Sequence, residues 1–143
     1  MISAGTKAME PEHRGAKEME YGQLKEMTSG LLECNRRAAE SFQRCRATGK
    51  QGDFYTEVKP FADKVKALSE EWEPKAVKWV TDIRPKNLHP LQIKNTAENL
   101  QMVSIRAFFP DTSIKRFKSH IQSIEYVLER ILEEIEKSKS PDQ

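Results

Sequence analysis

Apolar side chains recur along most of this chain at alternating spacings of three and four, in four separate runs. The first is Leu24, Met27, Leu31, Cys34, Ala38, Phe42 and Cys45, a spacing that stacks side chains on one face of an α-helix. Thr48-Gly49-Lys50-Gln51-Gly52 follows, and Gly49 or Gly52 is expected to stop that helix in the left-handed conformation. The second run is Phe54, Val58, Phe61, Val65, Leu68, Trp72, Ala76, Trp79 and Ile83, with Asp53 placed as N-cap and Glu57 in the first turns. Pro60 and Pro74 interrupt it, each removing a backbone donor. The register holds across Pro60, which predicts a kink. At Pro74 it slips to two successive spacings of four, which predicts a break.

Arg84-Pro85-Lys86-Asn87-Leu88-His89-Pro90 reads as a rigid turn, because Pro85 disfavours helix at Arg84 and Pro90 suits a first helical position. A third run, Ile93, Ala97, Leu100, Val103 and Ala107, ends at Phe108 and Phe109 before Pro110. Asp111 or Thr112 is then expected to cap a fourth helix. Its stripe is the most regular of all: Ile114, Phe117, Ile121, Ile124, Leu128, Ile131 and Ile135. No stretch shows the period-two alternation of a strand. Four helices joined by short turns pack side by side, so the expected fold is all-α, an antiparallel up-down-up-down four-helix bundle with a kinked second helix. The bundle is expected over residues 19–138, with a flexible N-terminal tail over 1–18 and a polar C-terminal tail over 139–143. Met19 is an alternative start: a purine-rich ribosome-binding run in the codons for Arg14-Gly15 would mark it as one.

Composition changes this picture little. The 143 residues are 37% hydrophobic and 32% charged, a balance suited to one helical domain with solvated outer faces. The net charge of +2 does not by itself imply nucleic-acid binding. Cys34 and Cys45 lie eleven residues apart on one helix, hence roughly 16 Å apart, beyond the reach of a disulfide. Both fall on the apolar stripe and read as small buried hydrophobes in a reducing compartment. No apolar run approaches a membrane span and no secretory leader is visible; a cytoplasmic location is expected, with no membrane association.

Topology turns the modest net charge into a polarised one. In an up-down bundle the first and third turns share one pole. That pole collects Arg44, Arg46, Lys50, Lys59, Arg106, Lys115, Arg116 and Lys118 against Asp53, Glu57 and Asp111, while Glu125, Glu129, Glu133, Glu134 and Glu136 lie at the other. Helix four thus carries cations at its N-terminal end and acids at its C-terminal end, against its dipole. Two readings follow. Either Asp53, Glu57 and Asp111 pair with Lys115 and Arg116, or Thr112, Ser113, Lys115, Arg116 and free backbone N–H groups receive an anion. The candidate binding end is therefore Asp53, Tyr55, Glu57, Asp111, Thr112, Ser113, Lys115 and Arg116.

Catalysis finds little footing. Metal-carboxylate bundles need acids and Glu-x-x-His pairs pointing inward, and no Asp or Glu occupies a stripe position here. Glu10-x-x-His13 sits in the tail, His89 in a turn, and His120 beside the stripe as a boundary residue. Gly49-Lys50 lacks the remaining glycine, the hydroxyl and the preceding strand of a phosphate loop. No catalytic residue, metal or cofactor is expected. The expected function is a non-catalytic binding or adaptor protein with a protein partner, homodimerisation being left open. The alternative is phosphate or nucleic-acid binding at the basic end, with Tyr55 as a stacking surface.

Three motifs carry a family resemblance: Asp53-Phe54-Tyr55-Thr56-Glu57-Val58-Lys59-Pro60-Phe61, Arg84-Pro85-Lys86-Asn87-Leu88-His89-Pro90-Leu91-Gln92-Ile93, and Thr112-Ser113-Ile114-Lys115-Arg116-Phe117. In order and spacing they resemble the YppE-like family, small Gram-positive bacterial proteins of unknown function, from about Met19 to Ser138. The resemblance implies a four-helix bundle. It implies no activity, cofactor or catalytic residue, and Pro74 stands apart from the family pattern.

Overall fold

The computed structural model describes residues 2–138, and side chains over 21–137. The tails expected over 1–18 and 139–143 and the alternative start at Met19 lie outside the described side chains. Four helices follow one another: α1 (Ile2–Thr48), α2 (Lys59–Ile83), α3 (Pro90–Arg106) and α4 (Ile114–Ser138). No strand occurs among the described residues.

Contacts between the helices set their directions. On α1 and α4, Lys25 pairs with Glu136, the Asn35 Nδ2 amide donates to the Ile121 carbonyl at 3.1 Å, and Phe42 stacks on Phe117. Position rises on one helix as it falls on the other, so the two run antiparallel. The same reversal joins α1 to α2, through Thr28 with Trp72 and Arg44 with Glu57. It joins α2 to α3 through Ser69 with Gln101 and Phe61 with Phe108. The protein is an antiparallel four-helix bundle.

Its core is the set of stripes read from the sequence. Leu24, Leu31, Cys34, Ala38, Phe42 and Cys45 from α1 meet Val65, Trp72, Ala76 and Trp79 from α2; Ile93, Ala97, Leu100 and Val103 from α3; and Phe117, Ile124, Leu128, Ile131 and Ile135 from α4. Both cysteines are buried and free. Burial raises the Cys34 thiol pKa, with Lys64 and Arg37 pulling the other way. The ends of the stripes depart from expectation. Phe54, Ile83 and Ile114 are exposed, because each lies where its helix begins or stops and no facing helix extends over it. Val80, Leu88 and Val127 take up core positions instead.

The two prolines of the second run resolve differently. The distortion expected around Pro60 is a π-helical turn, Phe54–Val58, in which Val58 N–H reaches back to the Asp53 carbonyl at 3.0 Å. Pro60 then falls in the first turn of α2, directly after the last π-helical bond, which Lys59 N–H makes to the Phe54 carbonyl. The break expected at Pro74 does not occur; α2 continues to Ile83. Pro74 sits on the exposed face, with Trp72 and Ala76 buried on the opposite one. The carbonyl it leaves free, Glu70, belongs to an exposed residue that water can satisfy.

Turn chemistry completes the frame. Gly49, at φ +70, ends α1 with its N–H on the Cys45 carbonyl at 2.8 Å. Arg84, at φ 53, ends α2 in the left-handed region with its N–H on the Val80 carbonyl at 2.9 Å, and Pro85 prevents the helix from continuing. The turn after it is pinned by Arg130 Nη2, which donates to the Lys86 carbonyl at 2.6 Å. The Gln92 side chain accepts the His89 N–H at 2.7 Å and so secures the start of α3.

Candidate functional site

The pole that holds the first and third turns is built from backbone upward. Gly52 N–H donates to the Phe108 carbonyl at 2.9 Å, tying one turn directly to the other. A Cβ at Gly52 would lie 2.6 Å from Phe108 Cδ1, so only glycine allows this approach. The α1 terminus reaches the same turn: Arg46 Nη1 donates to the Pro110 carbonyl at 2.7 Å, and its guanidinium lies 5.8 Å above the Phe42 ring. Phe42 in turn stacks on Phe117 with centroids 4.1 Å apart. This pile fixes the first turn of α4 against the end of α1.

Two clusters of the expected binding residues sit on this pole. In the first, Asp53 Oδ1 accepts the Thr56 N–H and hydroxyl, both at 2.9 Å. Those bonds, the backbone one foremost, hold the Asp53 carboxyl below its ordinary pKa. Glu57 reaches back four residues to the Asp53 N–H at 2.8 Å and pairs with Arg44 at 2.8 Å. A capping box ordinarily uses a spacing of three; the wider π-helical turn makes it four. Tyr55 is 78% exposed and meets the 56% exposed Phe54 edge-on at 5.0 Å. Two aromatic rings therefore stand in solvent at the tip of the turn.

In the second cluster, Ser113 caps α4, its Oγ accepting the Arg116 N–H at 3.3 Å. This corrects the expectation that Asp111 or Thr112 would do so. The Thr112 hydroxyl instead donates to the Arg106 carbonyl at 3.1 Å and finishes α3. Asp111, Lys115 and Arg116 are exposed. Among the described residues no ion pair or side-chain hydrogen bond joins the two clusters. The pairing of Asp53, Glu57 and Asp111 with Lys115 and Arg116 does not form, because Glu57 is held by Arg44 and Asp53 by its own cap.

The opposite half of α4 resolves the reversed charges. Glu125 and Glu129 face Arg36 of α1 at 3.3 and 3.6 Å, and Glu136 pairs with Lys25. Glu134 is partly buried, which pushes its pKa up, but Lys137 at 3.1 Å and Arg130 at 3.4 Å outweigh that and lower it. The acids of this half are thus matched, whereas Lys50, Arg106, Lys115, Arg116 and Lys118 make no ion pair among the described residues. Arg36 was missed in the sequence because it lies in mid-helix, away from either pole.

Grooves between neighbouring helices line the described part of the bundle. One, between α3 and α4, is lined by Gln92, Asn95, Thr96, Asn99, Gln122, Ser123, Tyr126 and Val127, all uncharged. Another lies between α1 and α2 and holds Arg37, Ser41, Arg44, Thr56, Glu57 and Lys64 over Phe61 and Phe108. Among the described residues no group of three or more His, Cys, Asp or Glu side chains could hold a metal ion. No described helix is long and apolar enough to cross a membrane.

Comparison with known proteins agrees with the fold. A family model described as a bacterial domain of unknown function, DUF1798, matches residues 28–135. The uncharacterized protein YppE of Bacillus subtilis strain 168 is 26% identical over 117 residues, covering 82% of this chain and 95% of YppE. The crystal structure of YppE superposes with a TM-score of 0.78 over 83% of this chain and 97% of its own. A Listeria innocua protein of unknown function is 30% identical, with a TM-score of 0.80 over 85% of this chain and 98% of its own. A DUF1798 structure from Staphylococcus aureus, 19% identical with a TM-score of 0.73, shares the fold.

Proposed function

Since the chain belongs to the bacterial DUF1798 family, we propose that it is a non-catalytic cytoplasmic binding protein that presents its basic pole to an acidic segment of a protein partner. The observation that carries this reading is the contrast along α4. Its acids are matched by Arg36, Lys25, Arg130 and Lys137, while Lys115 and Arg116 stand exposed without an ion pair among the described residues. Unmatched cations and exposed aromatic side chains on one pole make a surface with both a steering term and an anchoring term. Phe54 and Tyr55 supply the anchors. The π-helical turn beneath them is a form often found at functional sites.

The test is affinity capture from extract with the wild-type chain and with a Lys115→Gln/Arg116→Gln variant. The expected result is a partner held by the wild type, lost from the variant and eluted by moderate salt, with the variant's melting temperature unchanged or higher. Identical partners on both proteins would refute the reading. The alternative is nucleic-acid or phosphate binding at the same pole, favoured by the same unmatched cations and by the exposed Tyr55. It predicts that oligonucleotide affinity falls steeply between low and moderate salt.

A further inference from the structure

We infer that the groove between α1 and α2 is a binding site for a dianionic phosphate monoester, held by Arg37, Lys64 and the Ser41 hydroxyl. Neither Arg37, Ser41 nor Lys64 belongs to the pole discussed above, and the inference does not depend on the partner proposed there. Its basis is a matched spacing on two antiparallel helices. On α1, Arg37, Ser41 and Arg44 fall at intervals of four and three, one face of a helix. Opposite them, Glu57 of the π-helical turn and Phe61 and Lys64 of α2 repeat the same interval and line the other side of the groove. Because the helices run in opposite directions, Arg44 meets Glu57 at the polar end and Arg37 meets Phe61 and Lys64 further in.

The charge there is uncompensated. Glu57 is the acid of the groove, and both its oxygens are in use, one on Arg44 and one on the Asp53 N–H. Arg37 and Lys64 therefore contribute two positive charges to one concavity with no ion pair among the described residues. Against the rise that burial gives the Cys34 thiol, both act to lower its pKa, with exposed Glu33 of α1 acting the other way. The α1–α4 seam is built differently: Arg36 and Lys25 each have an acid opposite. With Glu57 engaged by Arg44, the groove lined by Arg37 and Lys64 keeps an excess of positive charge that a dianion would neutralise.

The geometry also supplies orientation. The Arg37 guanidinium lies 5.4 Å from the Phe61 ring centroid, a cation–π contact that holds its plane inside the groove and leaves its donors available. The Ser41 hydroxyl has no partner among the described residues, so it can donate to an oxygen between the two cations. A guanidinium, an ammonium and a hydroxyl around one point are the donors that phosphate oxygens use. The groove encloses about 290 Å³, near the lower limit of ligand sites. A small anion fits that space better than a large cofactor does. Pro60, Phe61 and Phe108 form an apolar wall for whatever carries the phosphate.

The experiment is a titration of the full chain at pH 7.5, where phosphate is mostly dianionic. The probes are inorganic phosphate, a sugar phosphate and a phosphoserine peptide, followed by amide chemical shifts and by thermal melting. Saturable shifts are expected along Arg37–Ser41 and at Lys64, and melting should rise over sodium chloride at equal ionic strength. Arg37→Gln and Lys64→Gln should each weaken binding by about tenfold or more. The unliganded double variant loses the Arg37–Phe61 contact and gains relief of like charge, so it should keep a wild-type amide spectrum and melt within a few degrees of the wild type; this keeps loss of binding distinct from loss of fold. Stronger binding by the sugar phosphate, or by the peptide, identifies the source of the phosphate. Equal responses to phosphate and chloride, or undiminished binding by the double variant, would overturn the inference. So would a loss of binding on Arg116→Gln but not on Lys64→Gln, which would move the anion to α4.

Discussion

Thr28 and Trp72 form a fully buried polar contact between α1 and α2, and removing one atom of it should be measurable. The indole Nε1–H donates to Thr28 Oγ1 at 3.0 Å, and that hydroxyl donates to the Leu24 carbonyl at 2.6 Å. Thr28→Val keeps the shape and the β-branch but removes the acceptor. The Leu24 carbonyl retains its helical partner, so the loss falls on the indole, left in the core with nothing to bind. An unsatisfied buried donor costs about 1–3 kcal/mol. With a urea dependence of roughly 2 kcal/mol per molar, the unfolding midpoint should drop by about 0.5–1.5 M. Urea titration followed by circular dichroism measures this directly. Trp72→Phe removes the donor instead, so adding Thr28→Val to it should then have an effect near zero. A double-mutant cycle should thus give a coupling of about 1–3 kcal/mol, the full cost of Thr28→Val in the wild type. Strictly additive effects of the two substitutions would refute the reasoning.

Gly52→Ala should destabilise by about 1–3 kcal/mol, because the new Cβ would press on Phe108 near the root of its ring, at 2.6 Å from Cδ1 and 3.0 Å from Cβ and Cγ; an unchanged melting temperature would contradict the close approach. Pro74→Ala should stabilise α2 by about 1–2 kcal/mol in chemical denaturation: it restores a helical donor and removes the ring from the helix interior, a gain that the greater freedom of the unfolded chain offsets only in part. Asp53 titrates below its ordinary value of 3.8 when folded, so its stabilising effect is complete above that value and fades as pH falls through the lowered one. Acid unfolding of Asp53→Asn should accordingly show a shallower loss of stability below about pH 4 than the wild type, and identical acid limbs would remove the cap from the account.

The sequence was enough to give the helices, their inward faces, the cap at Asp53 and a glycine stop at Gly49 or Gly52, of which Gly49 is the left-handed one. Each of these depends on neighbours within a turn or two, and the geometry of a helix is the same wherever it sits. From short turns it also followed that Gly52 and Pro110 would share a pole. Pro74 was misjudged because a proline breaks a helix only when its lost bond cannot be replaced; exposure decides that, and exposure on one face of a bundle is a tertiary fact. The choice of Ser113 over Thr112 as cap was settled in the same way, by the Arg106 carbonyl that claimed the Thr112 hydroxyl.

Which charge meets which was beyond the reach of the sequence. Arg36 and Arg37 are adjacent in the chain, yet one faces α4 and finds two carboxylates while the other faces α2 and finds none. A step of one residue turns a helix by about a quarter of its circumference, so the partner depends on how far each helix is rotated and slid against the next. Stripes of Leu, Ile and Phe fix that rotation through packing, and only once it is fixed do ion pairs, the buried Thr28–Trp72 contact and the groove at Arg37 and Lys64 come into being.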